Sequence, residues 1–99
     1  MTINIQYVNM ATSEAMNAYV TERLEKLGKK YDWIINAEVH FEVIHDPKGK
    51  GKICNIELSL PGPRIFAKSN EKNYESAVKE TIKELETQLK KRKQQFSTH

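Results

Sequence analysis

From Asn73 to Lys93, the apolar residues Tyr74, Val78, Ile82, Leu85 and Leu89 recur at spacings of four and three. At about 100° per residue they fall on one stripe of a helix, and a helix this one-sided must lie along a core supplied by the rest of the chain. Lys72, Lys79, Lys83 and Lys90 form a second stripe, turned roughly 120° from the first. Glu80 and Glu84 lie further round still. The stretch thus predicts a helix with a docking face, a cationic flank and a separate acidic side. Its basic end, Lys90-Lys91-Arg92-Lys93, suits the negative pole of the helix dipole. Lysines also solubilise any surface helix, so this stretch alone does not require an anionic partner.

The rest of the chain supplies what that face needs. Ile3, Ile5 and Tyr7 alternate with Thr2, Asn4 and Gln6, the period of a strand with one buried face. Asn9 to Thr12 breaks the pattern, and Thr12 or Ser13 is placed to cap a helix, with Glu14 in its first turn. This first helix runs to about Lys30 on the stripe Met16, Val20, Leu24, Leu27 and Tyr31. Tyr19, Arg23, Lys26 and Lys30 form a neighbouring stripe about 90° away, while Glu14, Glu22 and Glu25 lie on the far side. Trp33-Ile34-Ile35 reads as an apolar anchor into the next strand.

Ala37, Val39, Phe41 and Val43 alternate with Glu38, His40 and Glu42 in a second strand, and Cys54, Ile56, Leu58 and Leu60 with Asn55, Glu57 and Ser59 in a third. Between them His45 to Lys52 is a turn, by its Asp-Pro and two glycines. After the tight turn Leu60-Pro61-Gly62-Pro63, Arg64 to Ser69 forms a short fourth strand. There Ile65 and Ala67 share one face, and Arg64, Phe66 and Lys68 the other. Phe96 extends the apolar stripe of the last helix.

The order is β-α-β-β-β-α. Alternating strands imply a sheet covered on one side, and two one-striped helices supply the cover. The expected fold is α+β, a two-layer sandwich of a four-stranded sheet with two helices on one face. The first two strands should be parallel if they are neighbours, and the later ones antiparallel through hairpins.

At 99 residues, residues 1–99 are expected to form a single domain. Cys54 is the one cysteine, so no internal disulfide can form and a reducing cytoplasm is the simplest setting. No apolar run is long enough to span a membrane, and the N-terminus has no basic segment followed by an apolar core. The net charge of +3 permits a polyanionic partner without demanding one.

The sequence shows no catalytic constellation. His40, His45 and His99 lack partners at metal-ligand spacing, and Cys54 falls on the apolar face of its strand, as a packed thiol does. Gly49-Lys50-Gly51-Lys52 lacks the Walker spacing and links two strands, so it reads as a hairpin turn whose lysines either reach a polyanion or simply solubilise the loop. No metal, cofactor, small-molecule substrate or membrane is expected. What remains is the placement of the bases. Arg23, Lys26 and Lys30 on one helix and Lys79, Lys83 and Lys90 on the other converge if the helices pack side by side. Such a row follows a phosphate backbone and reads shape rather than sequence. Tyr19 on this flank is either a stacking platform for a base or an ordinary half-buried tyrosine.

The chain also resembles a known family: the ribosome hibernation-promoting factors and ribosome-associated inhibitors, or sigma-54 modulation proteins. The likeness rests on Ser13-Glu14-Ala15-Met16, Tyr19-Val20, Arg23-Leu24-Glu25-Lys26-Leu27 and the Leu60-Pro61-Gly62 turn. It continues in Asn73-Tyr74-Glu75-Ser76-Ala77-Val78-Lys79 and Glu84-Leu85-Glu86-Thr87-Gln88-Leu89-Lys90-Lys91. It covers nearly the whole chain, and order, spacing and length carry it more than any single motif.

The resemblance implies a fold similar to double-stranded RNA-binding domains. It also implies binding of the 30S subunit or 70S ribosome and its 16S rRNA in the decoding channel, over the A and P sites. There the protein would exclude tRNA and mRNA and silence translation in stress or stationary phase, with or without promotion of 100S dimers. By matching position it gives the basic role to Arg23 and Lys26 and to Lys91 and Lys93. Lys79, Lys83 and Lys90 rest on the helical wheel. Where the family has Gly, Arg, Asp, Tyr, Lys and Arg, this chain has Tyr7, Asn17, Asn73, Glu75, Glu84 and Thr87, with Lys83, Lys90 and Arg92 placed to compensate.

Long members carry a second, dimerising domain. This sequence suggests the short type without one, with a basic helix end and short polar tail over residues 90–99 and a monomeric state off the ribosome. The rival reading is a protein-interaction module regulating a transcription or stress factor through a sheet edge or the polar sheet face.

Overall fold

The computed structural model describes residues 1–97. Its elements are β1 (Thr2–Val8), α1 (Glu14–Lys30), β2 (Asn36–Val43), β3 (Lys52–Ser59), β4 (Ile65–Glu71) and α2 (Tyr74–Ser97). The strands lie in chain order, β1 parallel to β2 and the other pairs antiparallel. This is the α+β sandwich that the periodicities predict.

Register turns four alternating sequences into one apolar face. Ile3, Ile5 and Tyr7 pair with Ala37, Val39 and Phe41, and these with Leu58, Ile56 and Cys54. Ile56 and Leu58 in turn meet Ala67 and Ile65. Because side chains alternate with period two, each of these rows points to the same side. Val20, Leu24 and Leu27 of α1 and Ala77, Val78, Leu85 and Leu89 of α2 close over it. Truncating Leu24 or Leu85 to alanine there removes a packed side chain, at about 2–5 kcal/mol each. Thr81 is buried in the same layer, satisfied by the Ala77 carbonyl, to which its hydroxyl donates at 2.8 Å.

Both helices start on side-chain caps. Ser13 Oγ accepts from the Met16 N–H at 3.2 Å, and Asn73 Oδ1 from the Ser76 N–H at 2.8 Å. Each satisfies an amide that the first turn would leave without a partner.

The structure departs from the sequence reading at the margins. The fourth strand spans Ile65–Glu71 rather than Arg64 to Ser69, and the last helix runs from Tyr74 to Ser97, past Lys93. Lys72 precedes that helix and is not part of its lysine stripe. Val43 is exposed, because the helical layer begins at Tyr74, level with Phe41 and Glu42. The Tyr74 ring meets the Phe41 ring edge-on and its hydroxyl donates to the Glu42 carbonyl.

Ile53 is buried although it lies on the polar side of β3. The hairpin between β2 and β3 folds back over that side. Asn70, the register partner of Ile53, donates to Asp46 Oδ2 at 3.1 Å and accepts from the Gly51 N–H at 2.7 Å. Gly51 has φ +126°, and any Cβ there would collide with the Ile44 carbonyl. In the predicted anchor only Ile34 is buried; Ile35 points outward. Trp33 stands edge-on between Tyr31 and Phe96, so Phe96 does continue the apolar stripe, onto an aromatic chain at the end of the sheet.

Candidate nucleic-acid interface

The two helices border a groove lined by Arg23, Lys26, Leu27 and Lys30 from α1 and by Ile82 and Glu86 from α2. At about 100° per residue, Lys79, Lys83 and Lys90 lie on the flank of α2 next to Ile82 and Glu86, and all three are exposed. The three cations of α1 line the groove, while α2 contributes Ile82 and Glu86 to it; by the wheel the α2 lysines lie on the adjoining flank. Glu80 and Glu84 turn the other way, to the crevice between α2 and β4.

The cations differ in what holds them. Lys26 pairs with Glu22 on its own helix at 3.2 Å, with both side chains largely exposed. Such a pair is worth a few tenths of a kcal/mol and exchanges readily. Lys30 bridges the helices, donating to Glu86 Oε2 at 2.6 Å. That bond raises the Lys30 pKa and holds the Glu86 carboxyl below its ordinary range. The Arg23 guanidinium lies over the Tyr19 ring, 5.1 Å from its centre, so one face of that ring is already covered.

The basic run at the end of α2 does not form one patch. Arg92 turns to the loop before β4, donating through Nη1 to the Pro61 carbonyl and through Nη2 to that of Pro63, both at 2.8 Å. Gly62, at φ +91°, leaves room for it; a Cβ there would sit 2.9 Å from Nη1. On the helical wheel Lys93 falls on the groove side with Lys90, and Lys91 points away from it. Glu86, which the sequence reading passed over, stands within the cationic flank between Ile82 and Lys90. The same wheel that found the lysines places it there.

The remaining candidates stay outside this groove. Cys54 is fully buried, and burial pushes its thiol up to about 12, so it is the packed thiol expected. His40 lies on the open face of the sheet between Gln6 and Asn55, and His45 in the hairpin; His99 lies outside the described residues. Among the described residues no cluster of His, Cys, Asp and Glu could hold a metal ion, and no helix is long and apolar enough to cross a membrane. Lys48 and Lys50 are exposed on the hairpin, at the other end of β2 from the end of α1 that carries Lys30.

The fold is thus a sheet roofed by two helices, with basic side chains along the groove between them. The chain belongs to the sigma 54 modulation protein / S30EA ribosomal protein family, whose profile matches residues 3–97. The resemblance read from the motifs thus holds over nearly the whole chain. The chain is similar to a ribosomal subunit interface protein from Coxiella burnetii, at 28% identity and a TM-score of 0.83, over 94% of this chain and 98% of that one. It shares its fold with the N-terminal domain of Protein Y from Thermus thermophilus, at 24% identity and a TM-score of 0.79, over 92% of this chain and 98% of that one.

Most departures from the family pattern have local roles; nothing in the structure explains Glu84. Tyr7 and Asn17 meet each other: the Tyr7 hydroxyl lies 2.8 Å from Asn17 Oδ1 and 2.9 Å from the Ser13 carbonyl, tying β1 to the start of α1. Its single proton serves one of the two at a time. Asn73 caps α2, and Glu75 sits in the first turn, where a negative charge is favourable. The Thr87 hydroxyl bonds back to the Lys83 carbonyl at 3.2 Å.

Proposed function

We propose that this chain is a ribosome hibernation factor. It would bind the small subunit in the decoding channel over the A and P sites, and silence translation by excluding tRNA and mRNA. The observation that carries this reading is the interhelical groove lined by Arg23, Lys26 and Lys30, with Lys79, Lys83 and Lys90 on the adjoining flank of α2 by the helical wheel, in a chain of the S30EA family. Such a groove neutralises successive phosphates, each releasing counterions, and suits the shape of folded RNA.

In this reading the protein has no catalytic role and works in the cytoplasm. It is a monomer off the ribosome, and the domain described is the ribosome-binding unit. Lys93 adds a phosphate contact on the groove side at the end of α2, Lys91 meets phosphate outside the groove, and Arg92 serves the loop it clamps.

Co-sedimentation with 70S ribosomes through sucrose, at low and moderate salt and with or without excess tRNA, tests the proposal. Near-stoichiometric binding that tRNA displaces supports occlusion of the decoding sites, and a 100S peak adds promotion of dimers. No binding at either salt would discard the reading.

A further inference from the structure

The cationic groove holds a carboxylate of its own. Glu86 rises from the α2 wall opposite Arg23, Lys26 and Lys30, with its side chain 29% exposed. Lys30 Nζ donates to Glu86 Oε2 at 2.6 Å, and the Tyr31 hydroxyl lies 3.4 Å from the same oxygen. The positive charge of Lys90, on the same helix, also favours the ionised carboxylate. One ammonium and a phenol thus meet at one anionic oxygen, with a second positive charge acting on the carboxylate from the same helix. The same donor set would serve a phosphate oxygen.

We propose that this point is a phosphate subsite, that Glu86 occupies it as an internal anion, and that an RNA backbone phosphate takes the place by drawing Lys30 off Glu86. The inference rests on the RNA-binding reading above. Binding here is then a competition. The incoming phosphate must break a charge-assisted hydrogen bond and leaves a carboxylate facing it. The groove therefore binds RNA less tightly than its lysines would allow, and Glu86 sets how readily the protein lets go.

Glu86→Gln keeps the side-chain size and a group that can still bond the Tyr31 hydroxyl, while removing the charge. The test compares wild type, Glu86→Gln, Lys30→Gln and the double variant across a salt series. The probes are a fluorescent RNA duplex of roughly 16 base pairs, read by anisotropy, and 30S subunits, read by sedimentation. Glu86→Gln is expected to bind the duplex about three- to tenfold tighter at low salt, with a log–log salt slope steeper by about 0.7–0.9. Lys30→Gln is expected to cost more affinity in the Glu86→Gln background, where Lys30 is free for phosphate, than in the wild type.

Equal affinity and slope for wild type and Glu86→Gln would overturn the subsite. So would equal costs of Lys30→Gln in the two backgrounds, or weaker binding by Glu86→Gln at an unchanged melting temperature. If the duplex shows the gain but wild type fails to sediment with 30S subunits, the ribosomal reading falls and the subsite stands. The reverse pattern removes the subsite alone.

Discussion

The roof of this molecule and the open face of its sheet are built from the same polar residue types and differ in how charge is arranged. Along the roof, Arg23, Lys26 and Lys30 line one groove, the exposed Lys79, Lys83 and Lys90 follow on the adjoining flank of α2, and Glu80 and Glu84 turn away from it. On the open face, Glu38, Glu42 and Glu57 stand among Asn4, Gln6, His40 and Asn55, and Glu38 and Glu57 are already engaged. Glu38 accepts from Asn4 at 2.9 Å and from Asn36 at 3.1 Å, and Glu57 pairs with Arg64 at 3.6 Å. A net charge of +3 describes neither face. A polyanion responds to the local field, which falls off over about 10 Å at moderate salt, so placement outweighs the sum.

Charge reversal on the two faces is the strongest way to break this contrast. Lys26→Glu with Lys83→Glu, one on each helix, should weaken 30S binding by well over tenfold and flatten its salt dependence. Glu38→Lys with Glu57→Lys makes an equal change of opposite sign on the sheet and should leave binding as tight as in wild type or slightly tighter. Sedimentation of both pairs at two salt concentrations reads this directly. Loss of binding from the sheet pair alone would move the interface to the sheet and favour the protein-interaction reading.

A smaller effect separates cations that bind from cations that build. Arg92 belongs to the basic run by sequence but clamps the Pro61 and Pro63 carbonyls. Arg92→Ala should lower stability by about 1–2 kcal/mol, since both bonds are charge-assisted but lie near the surface. In a domain of this size that is a fall in melting temperature of roughly 4–16 °C. RNA affinity, measured well below that transition, should change little. Lys83→Ala should do the reverse, with an unchanged melting temperature and weaker binding. Asn73→Ala should cost about 1 kcal/mol through loss of the α2 cap, again without touching RNA affinity at temperatures where the helix is formed.

The element order, the sheet's buried face and both helix stripes could be read from periodicity, because burial on one side imposes a period that local sequence must obey. Convergence of the two lysine flanks could be read as a condition, since it follows once the helices pack side by side. Contacts between residues distant in sequence could not. Nothing in the spacing of Arg92 and Pro61, of Asn70 and Asp46, or of Lys30 and Glu86 announces a bond across 31, 24 or 56 positions. Ile53 illustrates the same limit: on the polar side of its strand by alternation, it is buried beside Asn70, which bonds to Asp46 and Gly51 of the hairpin. Glu86 was accessible on the helical wheel, but only its partner on the other helix shows what it does.

Acid titration gives the finest distinction between the faces. The carboxyls of Glu86 and Glu38 both have their pKa lowered from 4.5, by different causes. For Glu86 the largest is the hydrogen bond from the Lys30 ammonium; for Glu38 it is the hydrogen bond from the Asn4 amide, followed by that of Asn36. A carboxyl whose folded pKa lies below its unfolded value contributes stability that is fully present above about pH 4.5 and is lost as pH falls through the folded value. Between about pH 6 and pH 3 the wild type should therefore lose more melting temperature than either Glu86→Gln or Glu38→Gln. The two differences should respond unequally to salt. An ion pair across an open groove is screened at about 1 M salt, where the Debye length is near 3 Å, while a bond from a neutral amide is much less affected. High salt should shrink the Glu86 difference and leave most of the Glu38 difference. Equal shrinkage of both would mean that the roof and the sheet hold their carboxylates in the same way, and the contrast between the faces would reduce to the count of lysines.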